Sequence, residues 1–89
     1  MFYVYVLFSQ TAARYYIGQT EDLIDRLNRH NSGYEFSTSP YRPWLLVCVI
    51  EKKTRSEAVI LERKLKNLNS EDLNKFIKKY GSNNGGREA

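Results

Sequence analysis

The chain opens on Phe2-Tyr-Val-Tyr-Val-Leu-Phe8, a run made only of β-branched, aromatic and leucine residues, which suits a pleated strand buried on at least one face. Alternation places Tyr3, Tyr5 and Leu7 on one side of it and Phe2, Val4 and Val6 on the other. After the polar stretch Ser9 to Arg14, Tyr15-Tyr-Ile-Gly-Gln-Thr20 reads as a second short strand, and so brief a connection makes an antiparallel hairpin the economical pairing. The hydrophobic period then changes. A helix starting at Thr20 or Glu21 carries Leu23, Ile24 and Leu27 as an apolar stripe and ends at Ser32-Gly33. At about 100° per residue, Arg26 and His30 stack one turn apart on the border of that stripe, facing the sheet's rim.

Residues Tyr34 to Pro43 include Ser37-Thr-Ser-Pro40 and Arg42-Pro43, cannot continue a helix, and read as an exposed loop. Trp44 to Ile50 is apolar without alternation, the pattern of a central strand covered on both faces. Thr54-Arg-Ser-Glu57 has the form of a capping box. In the helix it opens, Ala58, Leu61, Leu65 and Leu68 recur at helical spacing, with Val59 and Ile60 widening the apolar face. Ser70 is placed to cap a last helix, with Glu71 and Asp72 at its positive end, Leu73, Phe76, Ile77 and Tyr80 on one side and Gly81 as its stop. Ser82 to Ala89 has no periodicity and is expected to be a disordered tail, which leaves one domain over 1–81. The predicted fold is α/β, a three-stranded mainly antiparallel sheet flanked by three helices in the order β-β-α-β-α-α.

Composition narrows the setting. Eighty-nine residues allow one small domain, and seven Tyr, four Phe and one Trp supply the bulk its core needs. The single Cys48 lies in an apolar run and reads as a small buried hydrophobe, a usage that suits a reducing cytoplasm. No segment approaches the roughly 20 apolar residues that cross a bilayer, and the first apolar run lacks a basic start. The expectation is a soluble, unprocessed, cytoplasmic monomer with no membrane partner and no small-molecule cofactor. Fourteen Lys and Arg against ten Asp and Glu leave a net charge of +4, which favours polyanions such as nucleic acid.

Five features then stand in order along nearly the whole chain, from Met1 to Tyr80: Tyr3-Val-Tyr5, Tyr16-Ile-Gly18, Arg26, His30 and Glu62. Any one is a weak signal, but their common register is a strong one. In order and spacing they resemble the GIY-YIG nucleases, most nearly the small stand-alone bacterial members. Tyr3 replaces the Gly of the name-giving pattern, a change that leaves Tyr5 untouched as a separate side chain. The resemblance implies a metal-dependent endonuclease that hydrolyses phosphodiester bonds in DNA, in repair, recombination or processing. It implies Tyr5, Tyr16, Arg26, His30 and Glu62 as catalytic residues, with Mg²⁺ or Mn²⁺ on Glu62. Mg²⁺ keeps several waters and often takes only one or two protein carboxylates; Asn67 and Asn69 are candidate second anchors. Arg26 would neutralise charge on the phosphate, and His30 would relay a proton. By the family analogy Tyr5 is the general base and Tyr16 its positioning partner, although the residues alone leave the order open. Free tyrosine has a pKa near 10, so a phenolate needs stabilising cations. Gly18, Arg42 and Lys66 are candidates for contact with nucleic acid.

Each residue also has a plainer reading. Strand tyrosines usually pack, Arg26 and His30 suit a solvated helix edge, and Gly18 suits a strand end. Glu62 can pair with Lys66 one turn on, worth about 0.2–0.5 kcal/mol on an exposed helix. Lys64, Lys75, Lys78 and Lys79 suit a solvated basic surface, and the hydroxyls of Ser37, Thr38 and Ser39 could touch a DNA backbone. Three function classes therefore stand: a nuclease, a binding module of the same fold with weak or no turnover, and a protein-interaction domain. The first requires the five side chains to converge within on the order of 10 Å, and Glu62 on the far side of the sheet from Tyr5 would remove it.

Overall fold

The computed structural model describes residues 1–81, and the tail expected over 82–89 lies outside the described residues. Strands β1 (Phe2–Ser9) and β2 (Arg14–Thr20) form the expected hairpin, with Tyr5 opposite Gly18 and Leu7 opposite Tyr16. The third strand, β3 (Trp44–Lys52), also runs antiparallel to β1. The sheet order is β2-β1-β3, so β1 is central and β3 lies at an edge. This corrects the central place expected for Trp44 to Ile50. The register shifts between Val6 and Leu7, whose partners are Cys48 and Leu46, so Val47 is an extra residue in a bulge. Val47 and Cys48 consequently join the same core, and the bulge erases the alternation that would have marked an ordinary edge strand.

Helices α1 (Leu23–Ser32), α2 (Arg55–Lys66) and α3 (Ser70–Gly81) cover both faces of the sheet. One core unites Val4, Val6, Ile17 and Cys48 with Ala58, Leu65 and Leu73 from α2 and α3. On the other face Tyr5, Leu7 and Trp44 are buried with Tyr16, Leu23, Leu27, Tyr41 and Leu46 packed around them. The alternation predicted for β1 therefore holds. Ile24 and Ile60, predicted on apolar faces, are instead 76% and 66% exposed. The inward face of α1 follows Leu23, Leu27 and His30, a 3–4 spacing that rotates Ile24 into water.

Local capping also differs in detail. Asp22, not Thr20 or Glu21, caps α1 by accepting from the Asp25 amide, because Thr20 is retained as the last residue of β2. The capping box at Thr54 and Glu57 forms as expected. Asn69 accepts from the Asp72 amide at the start of α3, the role expected of Ser70. The loop after α1 contains a 3₁₀ turn, Ser39–Tyr41, and a cis Arg42–Pro43 bond. Its exposure is incomplete, since Thr38 is buried.

Gly81 is buried against the carbonyl of the bulged Val47, and an added Cβ would collide with that backbone oxygen. In an exposed helix Gly→Ala gains up to about 1 kcal/mol of propensity. Here a backbone carbonyl cannot swing aside, so the clash outweighs that gain. Gly81→Ala is expected to destabilise the fold by about 1–3 kcal/mol, lowering Tm by roughly 4–8 °C per kcal/mol. A thermal melt checks it, and a raised Tm would contradict the packing.

Candidate active site

The hairpin register sets two tyrosines on one face of the sheet. Tyr5 opposes Gly18 and Tyr16 opposes Leu7, and residues opposite one another point the same way. Their rings lie 6.3 Å apart between centroids. His30 comes down on them from α1: its ring is 4.7 Å from that of Tyr16, and its Nε2 lies 3.1 Å from the Tyr5 hydroxyl. His30 is 2% exposed, so it occupies the inward face of the helix and not the border foreseen from periodicity.

Space at the centre is made by Gly18. A Cβ there would stand 2.6 Å from the Tyr5 hydroxyl oxygen and 3.2 Å from the Tyr16 ring. The open side of Gly18 is thus filled by the tyrosine itself, and this contact replaces the expected approach of a phosphate backbone. Arg26, one turn before His30, brings its positive charge to bear on Tyr5 and opposes the rise of the phenol pKa. Its Nε is buried with no hydrogen-bond partner, an unspent donor on a cation.

Glu62 arrives by a different route. The apolar side of α2 packs into the core on the face opposite the tyrosines, against all three strands. The charge of Glu62 acts on Tyr5 and is one of those that raise the phenol pKa. Lys66, one turn on, lines a cleft with Tyr16. Glu62 does pair with Lys66 at 2.9 Å, the plainer reading of this residue. Yet the Glu62 side chain is only 18% exposed against 54% for Lys66, unlike the fully superficial pair of Arg55 and Glu21.

The remaining candidates are not brought to this point. Arg42 donates from Nε to the Ser39 carbonyl, and its guanidinium lies over Gly33 at the end of α1. The Asn69 side chain caps α3, and Asn67 ends α2 through its backbone amide. Two residues escaped sequence reasoning in these roles. Thr38 is 2% exposed, with its hydroxyl 2.9 Å from His30 Nδ1, which corrects its reading as a DNA contact. Asn31 clasps the Trp44 backbone through both its amide and carbonyl groups, tying α1 to the start of β3. Neither has a sequence signal, because each depends on how the loop closes.

Burial governs the titration of the site. Tyr5 is pushed up from 10 to about 12, first by desolvation, then by Tyr16, with Arg26 opposing and Glu62 adding. His30 is lowered below its ordinary 6.5, first by desolvation; Glu35 opposes this and Arg26 adds to it. At neutral pH the pair is a phenol beside a neutral imidazole.

Comparison with known proteins agrees with this geometry. The model of the GIY-YIG catalytic domain matches residues 1–84. The chain belongs to the GIY-YIG family. A solved structure with the same architecture is the solution NMR structure of the UPF0213 protein BH0048 from Bacillus halodurans, 28% identical with a TM-score of 0.61. The match covers 91% of this chain and 87% of that one. No curated protein matches. Membership in a nuclease family supplies the nuclease-type function and the nucleic-acid substrate class at that level. No described helix is long and apolar enough to cross a membrane.

The raised Tyr5 pKa makes a stability prediction for this GIY-YIG domain. Between about pH 10 and pH 12 the unfolded tyrosine loses its proton while the folded one keeps it. The native state then binds more protons, so stability falls as pH rises, by on the order of 2–3 kcal/mol across the window at about 1.4 kcal/mol per unit. At the acid end the sign reverses: the unfolded state binds more protons at His30, and stability falls as pH drops below about 6.5. Denaturant melts across pH check both limbs; for the first, Tyr5→Phe should remove its share of the alkaline loss.

Proposed function

We propose that this GIY-YIG domain is a metal-dependent endonuclease that hydrolyses phosphodiester bonds in DNA. The observation that carries the reading is the convergence of His30, Arg26 and Glu62 on one phenol, Tyr5. A tyrosine that only packs has no use for a histidine on its hydroxyl and for a cation and a carboxylate whose charges act on it.

The residues present fit Mg²⁺ or Mn²⁺ of the water-rich kind. Among the described residues no group of three or more His, Cys, Asp and Glu could cage a metal. A single hard carboxylate in an open site nevertheless suits Mg²⁺, which completes its shell with water and phosphate oxygens. Glu62 would hold the ion, exchanging Lys66 for it. When bound, the ion supplies Lewis-acid stabilisation to the phosphate and the leaving oxygen.

The other steps belong to the side chains. Arg26, whose charge acts on Tyr5, neutralises a phosphate oxygen as charge grows there. Tyr16, packed on His30, positions the attacking water beside Tyr5. A phenol with a pKa of about 12 is a poor base by itself, so the phenolate route weighed from sequence is disfavoured. A relay serves better: water gives its proton to the Tyr5 oxygen as Tyr5 gives its own to His30 Nε2. The water oxygen bonds to phosphorus, the bond from phosphorus to the 3′-oxygen breaks, and the departing oxygen is protonated from solvent.

The test is incubation of purified protein with labelled duplex, flap, branched and single-stranded DNA, and with RNA, with and without Mg²⁺ or Mn²⁺. Metal-dependent cleavage of DNA is expected, with weak, sequence-indifferent and steeply salt-dependent binding, since phosphate contacts supply nearly all the affinity. Binding without cleavage under all of these conditions would favour the non-catalytic module.

A further inference from the structure

His30 has two ring nitrogens and two partners, Tyr5 on Nε2 at 3.1 Å and Thr38 on Nδ1 at 2.9 Å, all three residues being 2% exposed or less. Two arrangements of protons are possible in such a chain. In one, Thr38 donates to Nδ1 and Nε2–H donates to Tyr5. In the other, Nδ1–H donates to Thr38, and Tyr5 donates to Nε2. The Thr38 hydroxyl favours the second, because it has a carbonyl within long hydrogen-bonding reach, that of Glu35 at 3.5 Å. With its proton there, Thr38 Oγ1 receives from Nδ1–H, Nε2 is bare, and the Tyr5 proton has an acceptor. The first arrangement gives the Tyr5 proton no acceptor in the hydrogen bonds of the described residues, whereas the second gives it Nε2 at 3.1 Å. Arg26, whose charge acts on Tyr5, is no alternative acceptor for that proton, since a guanidinium only donates.

We infer that Thr38 is a positioning residue that fixes His30 as the Nδ1–H tautomer, which makes Tyr5 a proton donor to His30 and turns its oxygen lone pairs toward the reacting water. The inference rests on the proposed hydrolysis for its consequence, but the tautomer itself does not depend on turnover. The residue is well suited to the task. Its amide donates to the Glu35 carbonyl, and its own carbonyl accepts from the Tyr41 amide and from Trp44 Nε1 at 2.9 Å. A β-branched side chain on so constrained a backbone has little rotamer freedom left. Glu35 is held in turn by Arg29 of α1 at 3.3 Å. The loop after α1 thereby sets which way a proton can travel in the site. With the opposite tautomer, Tyr5 could only donate to water and could not take a proton from it.

The chain contains one histidine, so ¹⁵N-imidazole NMR at pH 7.5 reads His30 without assignment. The wild-type spectrum should have Nδ1 at a protonated shift and Nε2 at an unprotonated one. Thr38→Val keeps the branched shape and removes the hydroxyl; it should move the ring toward the Nε2–H form or a mixture. Cleavage should fall roughly 10- to 100-fold in kcat with little change in KM, and Thr38→Ser should restore both tautomer and rate. An Nε2–H ring in the wild type overturns the inference without need of any variant. An unchanged tautomer in folded Thr38→Val overturns it as well. If the tautomer responds as expected while no variant or wild-type protein cleaves any substrate, Thr38's positioning of His30 stands and the nuclease reading fails.

Discussion

Glu62→Gln is expected to reduce metal-dependent cleavage by roughly 100-fold or more while leaving the fold intact. The substitution keeps length and helix preference and removes the charge that would attract the ion. Lewis-acid stabilisation of a phosphate is worth several kcal/mol, and each 1.36 kcal/mol is about tenfold in rate. The structural loss is small by comparison. The partner, Lys66, is 54% exposed, and an i, i+4 pair of this kind contributes about 0.3–0.5 kcal/mol. DNA binding without metal should be equal or slightly tighter, because a negative charge near the phosphate is gone. Single-turnover cleavage of a labelled substrate, with thermal melts to match folding, measures the difference. Full metal-dependent activity in Glu62→Gln would reassign the carboxylate to its pairing with Lys66.

Gly18→Ala is expected to damage both stability and rate. The new Cβ would stand 2.6 Å from the Tyr5 hydroxyl oxygen and 2.8 Å from the ring carbon that bears it, contacts that require movement. Tyr5 has little room to move, being 1% exposed in a core with Leu7 and Trp44. Overpacking of this kind costs about 1–3 kcal/mol. Relief comes by pushing the hydroxyl away from His30, now at 3.1 Å, and a displacement of about 1 Å in a reacting group can cost roughly 100-fold in rate. Had Gly18 served only to admit a phosphate backbone, the substitution would raise KM and leave Tm and kcat alone. Thermal melts and steady-state kinetics separate the cases, and a variant with wild-type Tm and kcat would show that the site tolerates a side chain there.

The two predictions divide the site into a part legible from sequence and a part that was not. Tyr5 and Tyr16 share a face because strand alternation and a short hairpin leave no other economical arrangement, and both signals are local. The capping box at Thr54 and the burial of Cys48 were legible for the same reason, as were the three helices, each with its own apolar spacing. The strand order β2-β1-β3 was not. Trp44 to Ile50 looked central because the bulge at Val47 breaks its alternation, and a bulge is fixed by pairing with β1 some forty residues away.

Sequence by itself determined which residues are available to the site and which elements carry them: two strand tyrosines, an Arg and a His one turn apart, and a glutamate on a later helix. Tertiary structure decided what surrounds each one. It turned His30 from the rim to the inward face, gave Gly18 to the Tyr5 hydroxyl, let the charge of Glu62 act on Tyr5 from a helix on the opposite face, and placed Thr38 against His30. The reason is physical. Periodicity reports the side of an element that is buried, whereas proton positions and pKa values depend on desolvation and on partners that only chain closure brings within hydrogen-bonding distance.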